Sequence, residues 1–159
     1  MNWYKAATKT AVSVTPAEFV AMTWDEKITL ARNESITPAT QRLFFTERYE
    51  MKDLFLARLA WNRSITLETQ RLFFTEDYGN KSQVLEALAW SEDIHPEVQL
   101  LFLTQEYPKK NDILGNLAWN PIFLQNFTPE QMLIVKNAAR GNAKLLVLSK
   151  RLKQLVGVP

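Results

Sequence analysis

Among side chains that ligate metals or move protons near neutral pH, the chain holds one histidine, His95, and no cysteine. A lone imidazole cannot assemble a zinc site, which needs three or four N, O or S ligands, and no H-E-x-x-H pair accompanies it. His95 stands directly before Pro96, where it reads as a helix cap. Without cysteine there are no disulfides, thiolate metal ligands or cysteine nucleophiles. Gly-rich phosphate loops and the G-x-S-x-G elbow are missing too. The adjacent acids Glu76-Asp77 and Glu92-Asp93 fall between helical stretches and read as solvated loop charges rather than as acid and base. These patterns lead to the expectation of no catalytic residue, no cofactor and no metal.

The remaining candidates are aromatic and cationic. Trp61, Trp90 and Trp119 recur at one constant spacing. In a functional role they form a stacking ladder for bases or an aromatic strip for a partner protein. In a structural role, the plainer expectation, they fill the gap between successive helices. Arg32 takes their position early in the chain and Lys150 late. Arg42 and Arg71 recur with Glu47 and Glu76 five residues on, a spacing that does not share a helix stripe. Pairing between neighbouring repeats, as a solvated ion ladder, is the geometry expected. Near the C-terminus, Lys144, Lys150, Arg151 and Lys153 lie beside Leu145, Leu146 and Leu148 in an amphipathic stretch. It suits contact with an anion or nucleic acid, and equally a cap with its apolar side on the last repeat.

The elements that carry these residues are copies of one another. Ile36 to Ser64 is followed by a near copy, Ile65 to Asp93, identical at 16 of 29 positions, and a third copy opens at Ile94. A fixed period of this length marks an array of one supersecondary unit. Each unit opens on a capping pattern, Thr37-Pro38, Thr66-Leu67 and His95-Pro96, and the same grammar recurs at Thr15-Pro16 and Thr128-Pro129. Thr15 with Glu18 and Thr128 with Gln131 complete capping boxes. The second helix of each unit carries an apolar stripe: Phe55, Leu56, Leu59, Ala60, then Val84, Leu85, Leu88, Ala89, then Ile113, Leu114, Leu117, Ala118. Asn33, Asn62, Ser91 and Asn120 close these helices, where a left-handed C-terminal cap is expected. Helices this short hold only by stacking.

The expected fold is therefore all-α: a short α-solenoid of about five two-helix repeats with divergent capping units. A segment 1-13 precedes a single repeat domain, 14-159, with units near 14-35, 36-64, 65-93, 94-122 and 123-156. The charge is divided along it. The net +2 of the 159 residues hides acid-free, basic ends around an acidic middle, a layout that steers partners or caps the array. Nowhere do about 18 apolar residues run without a charge, so no membrane span is expected. The start lacks the apolar core of a secretory signal, and a cytoplasmic chain is the plain reading.

The segments LARNESITPATQRLF, LARLAWNRSITLETQRLF, LEALAWSEDIHPEVQLLF and LGNLAWNPIFLQNFTPEQM resemble the leucine-rich repeat variant family of bacterial α-solenoids. The likeness lies in L-A-x-N/S, a short turn, then T/H-P-E, and covers about residues 14 to 150. It implies a right-handed superhelix of short paired helices. The units here are longer, with an added turn at Tyr49, Tyr78 and Tyr107, which suits HEAT-like pairs of full helices. The family has no shared catalytic residues to carry over.

Two functions follow as expectations. The first is a non-enzymatic protein-interaction module, an adaptor or a stoichiometric inhibitor; a phage or mobile-element origin would suit an inhibitor. Its contact residues would be Arg58, Trp61, Glu86, Trp90, Asn116 and Trp119. Discrimination would lie where copies differ, at Asp53, Phe55 and Arg58, at Ser82, Val84 and Ala87, and at Asp112, Ile113 and Asn116. The alternative is nucleic-acid binding by the basic ends with the aromatic strip alongside. Neither the partner nor the oligomeric state is legible in the residues.

Overall fold

The structure, a computed structural model, describes residues 11–140. It is all-helical, a two-layer stack of helix pairs: α1 (Pro16–Ala21), α2 (Trp24–Arg32), α3 (Pro38–Thr46), α4 (Lys52–Ala60), α5 (Leu67–Thr75), α6 (Lys81–Ala89), α7 (Pro96–Thr104), α8 (Lys110–Trp119) and α9 (Pro129–Arg140). The second helices pack in the series α2, α4, α6, α8, and first helices in the series α3, α5, α7, α9. Each layer is thus an array in which every helix is walled by its repeat equivalents, as an α-solenoid requires.

Caps start the helices where the sequence places them. Thr15 and Glu18 form a capping box on α1, and an unanticipated second box, Thr23 with Glu26, starts α2. The bonds that Glu18 and Glu26 accept from the backbone N–H groups of Thr15 and Thr23 hold both carboxyls below their usual pKa. His95 Nδ1 accepts the Glu97 N–H at 3.2 Å, so the lone histidine caps α7. The left-handed residues, in contrast, do not follow the helices that Asn and Ser close. Met51, Asn80 and Lys109 take φ of 57°, 55° and 58° directly before α4, α6 and α8, where they turn the chain between paired helices.

The apolar stripe of the second helices is buried as expected, except that Ala118 is only partly covered. Phe55, Val84 and Ile113 lie inside it, so these three positions, expected to discriminate partners, are withdrawn from any surface. Their variation adjusts packing volume between repeats. The first helices interlock by aromatic edges. Phe45 meets Phe73 at 4.9 Å and 83°, Phe74 meets Phe102 at 4.8 Å and 86°, and Phe19 meets Phe44 at 4.9 Å and 73°. Edge-to-face pairs of this kind add about 0.5–1.5 kcal/mol each beyond burial. The tyrosines close the same seam. Tyr49, Tyr78 and Tyr107 each donate a hydroxyl to the carbonyl of Phe44, Phe73 or Phe102 at 2.6 Å, and burial raises the pKa of all three phenols.

Two polar ladders run through the junctions. Gln41 Nε2 donates to Ile36 and Ser64 carbonyls while its Oε1 accepts from the Thr66 N–H at 3.1 Å and the Thr69 hydroxyl. Gln70 bonds the Asp93 carbonyl and the His95 N–H in the same way, and Gln99 bonds the Ile122 carbonyl and the Leu124 N–H. Each glutamine, almost fully buried, therefore fixes the loop that begins the next repeat. The second ladder corrects the expectation of left-handed caps. Asn33 and Asn120 have φ of −73° and −70°; Asn62 instead donates across the junction to the carbonyls of Ala31 and Asn33, both at 2.9 Å. Asn120 does the same to Ala89 and Ser91.

The array is completed at its start by an extended segment. Val12 bridges in parallel to Ile36, donating to the Ser35 carbonyl and accepting from the Thr37 N–H, and Val12 and Val14 are buried. At the other end the repeat register persists through Phe123, which is buried like Ile94, and Leu124, held by Gln99. Only then do four extra residues, with Leu124 and Asn126 at positive φ, delay α9 to Pro129.

Candidate protein-binding surface

The tryptophans do not fill gaps between helices. Trp61 and Trp90 are the C-caps of α4 and α6, and Trp119 is the last residue of α8. They are 63%, 43% and 73% exposed. The packing expectation fails because the buried neighbour at each helix end is the next residue, Asn62, Ser91 or Asn120. Burial of that small polar residue at the helix end turns the indole outward. Since α4, α6 and α8 are stacked neighbours, the three indoles form a row along one edge of the second-helix layer. Exposed tryptophans at equivalent positions are large apolar surface left out of a fold that covers most of its other aromatics.

Beside Trp61 lies a notch of about 190 Å³, lined by Arg32, Glu34, Arg58, Trp61, Asn62 and Arg63. Arg63 is ion-paired with Glu92 of the next repeat. A second, more polar groove runs between α6 and α8, where Glu86 and Asn116 face Lys109 and Asp112. The structure thus brings Arg58 to Trp61 and Glu86 to Asn116, two separate places on one layer. Asp53 is engaged across a junction, accepting from Asn80 Nδ2 at 3.0 Å.

The repeated arginines pair between repeats as expected, but with different acids. Arg42 meets Glu68 at 3.7 Å and Arg71 meets Glu97, acids in the first turn of the following first helix. Glu47 and Glu76 instead occupy C-cap positions, and their backbone carbonyls accept from Lys52 and Lys81. The arginine pairs are solvated and worth little to stability. The lysines themselves went unanticipated. Lys52, Lys81 and Lys110 stand 5.8, 5.5 and 5.8 Å from the Tyr49, Tyr78 and Tyr107 ring centroids, and their recurrence at the repeat period was the available signal.

A further exposed patch, also unanticipated, joins Val20, Trp24 and Met51 around the buried Phe55. Lys144, Lys150, Arg151 and Lys153 lie outside the described residues. Among the described residues no three His, Cys, Asp or Glu side chains converge to hold a metal, and no helix is long and apolar enough to cross a membrane.

Fold and surface together define an all-α repeat scaffold that presents a row of indoles on one edge. Comparison with protein-family models, curated proteins and solved structures gives no match.

Proposed function

We propose that the chain is a non-enzymatic, cytoplasmic protein-binding scaffold, an adaptor or stoichiometric inhibitor, that engages its partner through the edge bearing Trp61, Trp90 and Trp119. The observation that supports this reading is their exposure in a chain whose other described aromatics, Trp24 apart, are buried or half-buried. Tryptophan and arginine are among the residues most enriched where proteins bind proteins tightly, and Arg58 and Arg63 flank Trp61. Electrostatics favours protein over nucleic acid as the partner. The described residues carry 17 acidic against 13 basic side chains, and Glu34 and Glu92 border the row at Trp61 and Arg63. A phosphate backbone would meet net repulsion from the described residues taken as a whole. Kinship with leucine-rich repeat variant solenoids belongs to the same proposal and rests on the L-A-x-N/S and T/H-P-E pattern.

Selection of a random peptide-display library on the immobilised full chain tests the reading. Peptides enriched on the wild type are expected to lose at least tenfold in affinity for the Trp61→Ala, Trp90→Ala, Trp119→Ala triple variant. Retained affinity, or no enrichment at all, would remove it. Circular dichroism of the variant checks that these exposed truncations leave the helices intact.

A further inference from the structure

The repeat register exposes a gradient of charge along the tryptophan row. At the first junction Arg32, Arg58 and Arg63 stand with Glu34 around Trp61, a local charge of +2. Advancing each position by one repeat gives Trp61, Ala87, Glu92 and Arg63 around Trp90, which sum to zero. One more step gives Trp90, Asn116, Pro121 and Glu92 around Trp119, with charge −1. The aromatic element is constant while the charge falls steadily along the row.

The first notch is unlike the others in a second respect. Arg63 is committed to Glu92, but among the described residues no acidic side chain pairs with Arg32 or Arg58, and both are exposed. Two unpaired guanidiniums beside an indole make a seat for a carboxylate that carries apolar neighbours: the forks bond the oxygens and the indole face covers the adjoining side chain.

We propose that the notch of Arg32, Arg58 and Trp61 binds an acidic segment of a partner protein, and that the falling charge along the row fixes the direction in which that segment lies. The acidic end sits at Trp61, and the segment becomes neutral or basic toward Trp119. A nucleic acid strand lacks this asymmetry, since its charge is uniform along its length, and its phosphates would run against Glu92. The inference rests on the protein-binding reading above, and it adds the chemistry of the partner.

The test uses fluorescence anisotropy of the full chain with three labelled probes: a pentapeptide of alternating Glu and Leu, short enough to lie at the Trp61 end of the row, its Lys-for-Glu counterpart, and a five-residue oligothymidylate. Arg58→Ala with Arg63→Glu supplies the variant. Both changes import residues the chain already uses at equivalent positions, Ala87 and Glu92; Arg63→Glu gives up the exposed pair with Glu92, so circular dichroism of the variant checks the fold. The Glu/Leu peptide is expected to bind at least tenfold tighter than the Lys/Leu peptide, and to weaken at least tenfold on the variant. Glu130→Gln, exposed on α9 in the first-helix layer, should leave it within twofold. Equal binding of the two peptides, or an unchanged affinity on the variant, overturns the proposal. Tighter binding of the oligothymidylate with the same loss on the variant overturns it in favour of a phosphate site. If the Glu/Leu peptide fails while display-selected peptides still depend on the tryptophans, the acidic-segment inference falls and the protein-binding reading stands.

Discussion

Asn120 sends its side-chain amide across a repeat junction to the Ser91 carbonyl oxygen, 2.8 Å away, while Ser91 occupies the equivalent position one repeat earlier and has no amide to send back to the repeat before it. The Ser91 hydroxyl accepts the Asp93 N–H, at 3.4 Å. The asparagine ladder is therefore present at the first and third junctions and interrupted at the second. Because a solenoid's stability is a sum of nearest-neighbour interfaces, that junction lacks one of its clamps.

Ser91→Asn should restore the clamp. One or two buried amide hydrogen bonds contribute about 1 kcal/mol each net, and a gain of that size raises Tm by roughly 2–8 °C in a domain of this length. The reverse change, Asn62→Ser, should cost about 1–3 kcal/mol by leaving the Ala31 and Asn33 carbonyls without their donor. Thermal unfolding followed by circular dichroism reads both, and a Tm unmoved by either change would mean the ladder is not a clamp.

Gln70→Leu removes a latch of nearly matching size. The Asp93 carbonyl and His95 N–H lose their partner at the start of the third repeat, for an expected loss of about 2–4 kcal/mol. Urea titration should show a lower midpoint, and amide exchange should accelerate most at residue 95. A loss no larger than an ordinary surface substitution causes, about 0.5 kcal/mol, would contradict the bracing role.

Met51→Asn should stabilise. Met51 holds a φ of 57° that the equivalent Asn80 tolerates more readily, and left-handed backbone costs an ordinary residue about 1 kcal/mol. The side chain is exposed, so little packing is lost and a gain of roughly 0.5–1 kcal/mol is expected. Denaturant midpoints of the two proteins decide it, and a decrease would show that Met51 packs more than its exposure indicates.

Alkaline pH should unfold the chain through its tyrosines. Burial raises the phenol pKa of Tyr49, Tyr78 and Tyr107 in the folded state, so above about pH 10 the unfolded chain releases protons that the folded chain keeps. With fewer protons bound in the unfolded state, stability falls as pH rises, by at most about 4 kcal/mol per pH unit for three such groups. Lys52, whose ammonium pKa is lowered by burial, acts in the opposite direction and reduces the slope. Urea midpoints from pH 9 to 11 should drop, less steeply in Tyr78→Phe. A flat profile would contradict the buried phenols.

The architecture was legible because its signal is redundant. Caps, apolar stripes and the repeat register agree from unit to unit, so a local misreading such as the left-handed asparagine caps leaves the array unchanged. The glutamine ladder was legible in principle: Gln99 persists in the third copy although the flanking Thr and Arg of the earlier copies are replaced, the mark of a polar residue held from inside. Exposure of the tryptophans was legible too. At 100° per residue Trp61 lies about 170° from the centre of the stripe formed by Phe55, Leu56, Leu59 and Ala60, and its hydrophobicity argued against that geometry. Which acids pair with Arg42 and Arg71 depends on how far one repeat is displaced against the next, a distance that no spacing within a single copy contains.

The central claim, that the tryptophan row is a free binding edge, is tested most directly by iodide quenching of a Trp3→Phe, Trp24→Phe variant, which leaves Trp61, Trp90 and Trp119 as the emitters. The free protein should quench nearly as strongly as an indole in solution, and a saturating display-selected peptide should cut that quenching at least twofold. Weak quenching in the free protein, or quenching unchanged by the bound peptide, would contradict the account.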